Sequence, residues 1–514
     1  MPLSFATVGI GVAAVGVAAA SVASVVGLVG RSRTSSTGRH GARWARRKDV
    51  GSLVVRGREP GRLVLGGIAS RGDRCGRLVL AAERSQSVTV VGPTQSGKTT
   101  GLAIPAILGW EGPVVAASVK TDLARDTLDW RRRCGRVWCF DPGRTTGLPP
   151  SEWSPLTAAR TWAGARRVAA DLTEVTQGAT TTADGEFWYA TAAKLLAPLL
   201  FAAASGGRTM VDVVRWVDTQ EVAEVAELLD AAGAAQALQA ARATWQRDDR
   251  QRSSVYTTAE TILEPFAEPD APPIDGVGGR CFASQVDQID PAELLQGSHT
   301  LYLCAPAHDQ RRLRGLFVAL VKQVLDAAFS RSSRQGAALD PPLLVVLDEA
   351  ANIAPLAELD GLAATCAGHG VQLLTIWQDL AQVTARYGDR AATVVNNHRA
   401  KVFLSGTSDP GTLDRASHLV GDEELLVPSM SRDSTGHRTT TTAPVQRRLL
   451  PPDALRRLPT GTGVLVYGSL PPVRLALRPW WEDAGLRARG AWPRRGSAEP
   501  GRQFAGTDGY SAGP

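Results

Sequence analysis

The residues Gly92, Pro93, Thr94, Gln95, Ser96, Gly97, Lys98 and Thr99 have the types and spacing that hold nucleotide phosphates. They match GxxxxGK[ST] directly after an apolar run, Ser87 to Val91. Glycines let backbone N–H groups curl around phosphate oxygens, and a helix starting at the end of the loop adds its positive terminus. Lys98 is expected to reach the β- and γ-phosphates of ATP and the Thr99 hydroxyl to hold Mg²⁺, with Thr100 closing the nucleotide-binding set. The alternative is a plain glycine-rich turn. A chance match in a chain of this composition is on the order of one per cent, and the strand, loop and helix context disfavours it further.

Such a site also needs a metal-holding acid on a neighbouring strand. The apolar run Leu343 to Leu347 ends in Asp348 and Glu349. Asp348 is expected to bind Mg²⁺, directly or through water, and Glu349 to polarise the attacking water. Taken alone, the two acids could simply face solvent beyond a buried strand, or Glu349 could cap the next helix; paired with the phosphate loop, the catalytic reading prevails.

Around these residues the sequence reads as an α/β core. Short apolar runs at 113–118, 136–140, 300–304, 371–376 and 400–404 are predicted strands of a parallel sheet, separated by helix-length segments. Residues 49–86 alternate apolar runs with turn residues and read as several further strands. Between about 161 and 285 the chain is Ala/Leu/Val/Glu-rich with helical spacing, an all-helical insertion. Residues 429–444 read as a flexible loop, and the polar, Gly/Pro/Arg-rich stretch after 482 as a disordered tail. The expected fold is a RecA-like P-loop NTPase core with an inserted all-α domain and one N-terminal transmembrane helix. Its parts are 1–48 (anchor and basic flank), 49–160 (P-loop half), 161–285 (all-α), 286–481 (the half bearing Asp348) and 482–514 (tail).

The anchor rests on Met1 to Gly30, which carries no charge. Leu3 to Val29 is 27 residues, long enough to cross a hydrocarbon core of about 30 Å. A cleaved signal peptide would need a basic start and a shorter apolar core, whereas the first charge here is Arg31, after the run. Seven Lys/Arg between Arg31 and Lys48 place the rest of the chain in the cytoplasm, giving a single-pass cell-membrane protein with its N-terminus outside. No later run reads as long enough to span; Leu195 to Ala204 is ten residues and reads as a buried helix.

Composition fits this picture. A chain of 514 residues with 44% hydrophobic and 21% charged residues is neither wholly disordered nor fibrous. A net charge of +7 favours anionic partners. Six scattered cysteines without a CxxC pair argue against a disulfide framework and a structural zinc. Only six of the 57 basic residues are lysine, so each retained lysine is notable.

Together these motifs resemble the type IV secretion coupling proteins of the VirD4/TraG/TraD kind over roughly residues 87–410. Besides the P-loop, similar pieces are 104–120 (IPAILGWEGPVVAASVK), Phe140 to Gly143 with Trp153 to Leu156, and Phe187-Trp188. Others are 300–309 (TLYLCAPAHD), 347–356 (LDEAANIAPL) and 370–382 (GVQLLTIWQDLAQ). The resemblance implies a membrane-anchored, homo-hexameric ATPase that couples single-stranded DNA with its relaxase to type IV secretion channel components. It implies that Gln378 is a catalytic, sensor-like glutamine reporting the γ-phosphate to the subunit interface, and that the all-α domain receives the relaxase-bound DNA. Two departures stand out. Relatives often have two membrane helices, and many carry an arginine finger in the helix before the Gln378 strand, where this chain has Ala364 to Gly370 without arginine. Arg386 and Arg399 follow Gln378 closely, but ordinary surface roles suit them better. Alternative functions are a double-stranded DNA pump of the FtsK/HerA kind, for which no C-terminal DNA-reading module is recognisable, and a nucleotide-binding recruitment platform with little hydrolysis.

Overall fold

The seven apolar runs that carry the expected core become strands. β1 to β3 are Val54–Val55, Val64–Ile68 and Val79–Ala81, followed by β4 (Val88–Val91), β5 (Val114–Ser118), β6 (Val137–Phe140) and β7 (Thr300–Cys304). Next come β8 (Leu343–Asp348), β9 (Val371–Trp377) and β10 (Ala400–Leu404); β11 (Asp422–Arg432), β12 (Arg438–Arg448), β13 (Thr462–Tyr467) and β14 (Val473–Ala476) complete the set. The computed structural model describes residues 41–69, 78–176, 183–267, 287–305, 309–432 and 438–490. The expected membrane helix and most of the C-terminal tail lie outside them.

Strands β10, β4, β9, β8, β5, β7 and β6 lie side by side in that order, every neighbouring pair parallel. Near-continuous Val/Leu/Ile runs suit this arrangement, because a parallel sheet is covered on both faces. Alternate side chains feed two cores. Val91, Val115, Ala117, Val345 and Leu347 join the one that includes the helical segment. Val90, Val114, Ala116, Leu344 and Val346 join the other, under α1 (Ile104–Gly109) and α2 (Asp122–Cys134). Beyond β10 the sheet continues antiparallel through β13, β14, β2, β3 and β1, making twelve strands. Sequence reading found strands in the β1–β3 region but missed β13 and β14, which flank the turn Gly468-Ser469-Leu470-Pro471-Pro472.

The region 162–267 is helical where described: α3 (Trp162–Thr176), α4 (Ala183–Ser205), α5 (Met210–Asp218), α6 (Ala223–Ala231), α7 (Ala235–Trp245) and α8 (Asp249–Ala267). α4 corrects one expectation. Residues 185–205 are long and apolar enough to cross a membrane by length and composition, where sequence reading took only the ten-residue run Leu195 to Ala204 and expected a buried helix. Within the protein more than half of that span is buried, packed against α3, α7 and α8. The later helices are α9 (Pro291–Leu294), α10 (Gln310–Gln335), α11 (Ala350–Ile353), α12 (Leu359–Thr365), α13 (Leu380–Tyr387), α14 (Ala391–Asn397) and α15 (Pro410–Val420).

A second correction concerns 429–444. Its described residues belong to an antiparallel ribbon, β11 paired with β12 from Asp422↔Arg448 to Arg432↔Arg438. Thr440, Thr441 and Thr442 have high β-propensity, but the ribbon is exposed on both faces, so no apolar alternation announces it.

A buried polar chain ties the strands around the P-loop. The fully buried His398 donates from Nδ1 to the Val394 carbonyl (2.7 Å), leaving Nε2 3.1 Å from the Thr375 hydroxyl on β9. Thr375 Oγ1 also lies 3.2 Å from Thr89 Oγ1 on β4 and accepts from Trp377 Nε1 (3.1 Å). Burial foremost holds the His398 imidazole down at about 4, against the usual 6.5. A depressed histidine is neutral in the fold, so the unfolded chain takes up a proton that the folded chain refuses. Stability is therefore lost as pH falls from about 6.5 towards 4, by roughly 3 kcal/mol in full. The stability gap between wild type and His398→Gln in urea is expected to narrow steadily over that window. A gap that stays constant with pH would contradict this.

Candidate nucleotide site

The carboxyl ends of β4, β9, β8 and β5 meet at one edge of the sheet, and every predicted site residue is on it. Gly92 leaves β4 with its N–H donated to the Trp377 carbonyl (3.1 Å), which puts the start of the loop beside Gln378. A Cβ on Gly92 would come within 2.8 Å of Leu404 Cβ and 2.9 Å of Ser96 Oγ, so no larger residue fits without movement. Gly97 sits at φ +88°, open to glycine and strained for other residues. Ser96 Oγ donates to the Pro93 carbonyl (2.8 Å) and closes the loop, while Thr94 and Gln95 are exposed on its outer side.

Lys98 is nearly buried, and its ammonium donates to the carbonyls of Gly92 and Pro93 (2.6 Å to the latter). Burial is the main cause that lowers it to about 8. A π-turn opens the helix after it: Ile104 N–H donates to the Thr99 carbonyl, five residues back, before α1 continues as an ordinary helix. Thr99 Oγ1 donates to Asp348 Oδ2 (3.1 Å), which also accepts from Ser118 Oγ (3.4 Å). Ser118 and Asp348 are direct partners across β5 and β8. Asp348 is 3% exposed; burial first, then the Asp122 carboxylate, raises its acid to about 6. A hydroxyl and a carboxylate in contact, oxygen donors only, form the set a hard cation takes, and a carboxylate disfavoured as a bare buried anion gains most from one. The residues present therefore fit Mg²⁺ with a triphosphate in the loop.

Glu349 stands just past the strand in a left-handed conformation, φ +63° and ψ +56°. Such backbone costs a non-glycine residue about 1 kcal/mol or more and persists where the surroundings enforce it. It turns the half-exposed carboxylate away from the strand direction, and Oε2 accepts from Asn352 Nδ2 (3.3 Å). Gln378 is half-buried at the end of β9, its N–H donated to Gln382 Oε1 (3.0 Å), while Asp379 caps α13 by accepting from Gln382 N–H (2.8 Å). Because β9 lies between β4 and β8, Gln378 sits between the phosphate loop and the two acids.

Sequence reading missed Ser118 and Asn352. Only the strand order reveals Ser118 as a neighbour of Asp348; Asn352 lies three residues beyond Glu349, where its amide holds the carboxylate. The segment before β9, α12 with the turn Cys366–His369, has no arginine. Arg386 donates to the Pro355 carbonyl (3.1 Å), and Arg399 pairs with Glu83 (3.4 Å) over the Tyr467 ring, so both serve the fold of their own chain.

A profile of the family described as type IV secretory system conjugative DNA transfer matches residues 43–503. The chain is 25% identical over 503 residues to the conjugal transfer protein TraG of Escherichia coli, covering 88% of this chain and 76% of that one. It is also 25% identical over 416 residues to the protein VirD4 of Agrobacterium fabrum, covering 77% and 59%. Among solved structures, it is similar to the unbound bacterial conjugative coupling protein TrwB without its first 70 residues. That match has TM-score 0.63 and 18% identity, over 85% of this chain and 93% of that one. The plasmid coupling protein TrwB in complex with ADP and Mg²⁺ matches with TM-score 0.62 and 18% identity, over 88% and 97%. At that identity the likeness shows the fold, a RecA-like α/β core.

Proposed function

Since the chain belongs to the type IV secretory system conjugative DNA transfer family, we propose that it is the ATP-driven coupling protein of such a system. In this reading it is a single-pass membrane protein that assembles as a hexamer and drives relaxase-bound single-stranded DNA into the secretion channel. The observation that carries the reading is the convergence of Lys98, Thr99, Asp348, Glu349 and Gln378 on one sheet edge, in the order a hydrolytic site needs. The phosphate loop binds and orients the triphosphate, and Lys98 exchanges its loop carbonyls for phosphate oxygens. Mg²⁺ at Thr99 and Asp348 would neutralise charge on the β- and γ-phosphate oxygens. Glu349 accepts the proton of the attacking water, held in direction by Asn352 and by its own backbone. In this reading Gln378, whose N–H is bonded to Gln382 of α13 and whose neighbour Trp377 accepts from Gly92 at the start of the loop, carries the presence of the γ-phosphate to the surface formed by α13. Helices α3 to α8 are the part proposed to receive the DNA cargo. The domain boundaries at 49, 161, 286 and 482 belong to this proposal.

Steady-state ATP hydrolysis by the full chain in lipid nanodiscs, with and without single-stranded DNA at fixed salt, tests it. Turnover should rise with DNA and the stimulation should fall steeply as salt increases, because backbone contacts by Arg and Lys dominate such binding. Gln378→Ala is expected to lower DNA-stimulated turnover about tenfold or more while nucleotide affinity changes little, as for other groups that act on transition-state charge. Nucleotide binding without turnover, with or without DNA, would instead favour the recruitment platform, a reading that the arginine-free α12 segment supports.

A further inference from the structure

We infer that Lys120 is a second phosphate-contacting cation of this site, directed at the γ-phosphate of the bound nucleotide. The inference rests on the nucleotide reading above and adds a residue with no role in it. Lys120 follows β5 by two residues, in the loop that leads into α2. That loop is tied to the metal-holding acid: Lys120 N–H donates to Ser118 Oγ (3.2 Å), and Ser118 Oγ donates to Asp348 Oδ2. Asp348 in turn accepts from Thr99, the residue after Lys98. One hydroxyl and one carboxylate therefore separate the Lys120 backbone from the P-loop.

The Lys120 side chain is exposed, and among the described residues its ammonium makes no ion pair or hydrogen bond. Its charge favours the ionised form of Asp122, two residues on at the start of α2. An exposed ammonium at the sheet edge that also carries Lys98 is open to an anion with several oxygens. A triphosphate held by the loop is such an anion. The residue type agrees: only six of 57 basic residues are lysine, and a compact ammonium on a flexible stem suits a single phosphate oxygen better than a bidentate guanidinium does. A cation supplied from within the same chain also answers the missing arginine of the α12 segment, since charge on the transferring phosphoryl group is what such a residue stabilises.

The test compares affinities of the full-length protein for AMP-PNP and for ADP, each with Mg²⁺, in wild type, Lys120→Ala and Lys120→Arg. A γ-phosphate contact predicts that Lys120→Ala weakens AMP-PNP binding at least tenfold and leaves ADP within twofold, with Lys120→Arg recovering part of the loss. Equal AMP-PNP affinity in wild type and Lys120→Ala overturns the inference. So does an equal loss for both nucleotides, which would mean a general effect on the loop. A wild type that discriminates the two nucleotides through Lys120 yet does not hydrolyse ATP would sustain Lys120 and refute the motor.

Discussion

Glu349→Gln is expected to abolish ATP turnover, by about 10²- to 10⁴-fold, while nucleotide binding stays within a few-fold of wild type. The substitution keeps the shape of the side chain and leaves the left-handed backbone and the adjacent Asp348 unchanged. What it removes is the carboxylate that accepts a proton, since an amide is not a base at neutral pH. Fluorescent-nucleotide binding and phosphate release measured on the same preparation separate the two effects. Turnover within threefold of wild type would mean that another group accepts the proton. Equal losses of binding and turnover would mean that Glu349 serves the loop rather than the reaction.

The largest expected loss of stability comes from Arg131, a residue far from that chemistry. It lies in the last turn of α2 and is wholly buried, with no carboxylate partner among the described residues. Its guanidinium donates instead to Thr300 Oγ1 (2.7 Å), the Trp110 carbonyl (2.6 Å), and the Gly112 and Ser298 carbonyls (both 2.9 Å). These acceptors belong to the segments that lead into β5 and β7, so one side chain fixes the starts of two core strands. Arg131→Met would leave the buried Trp110 and Gly112 carbonyls and the part-buried Ser298 carbonyl without this donor, at about 1–3 kcal/mol each, partly relieved by water; a net loss of roughly 3–5 kcal/mol is expected. Arg131→Lys should recover little, because a point charge cannot reach four acceptors in a fork. Urea unfolding followed by tryptophan fluorescence checks this, and a midpoint for Arg131→Met unchanged from wild type would refute it.

What sequence alone discloses here depends on how many faces of an element are buried. The seven parallel strands are covered on both sides and so announce themselves as unbroken apolar runs. Gly92 to Thr99, Asp348 and Glu349 are legible because phosphate and metal chemistry fix both residue type and spacing. The β11–β12 ribbon, exposed on both faces, carries no such pattern and reads as loop. The roles of Ser118 and Lys120 are illegible for a different reason. Their importance comes from β5 lying next to β8, a pairing across 230 residues of chain that no local window contains. Arg131 likewise reads as one basic residue in an Arg-Arg-Arg run, and only burial distinguishes it from Arg132 and Arg133, which flank the solvent side.

Among the described residues the ribbon contributes no side chain to either core, and it branches from the end of α15, away from the carboxyl edge of β4 and β8. Changes in its length or composition leave the burial of every core strand as it was. Natural selection can therefore act on this segment and on the nucleotide edge as separate traits, with the ribbon free to diverge between lineages while Gly92, Asp348 and their neighbours are held fixed.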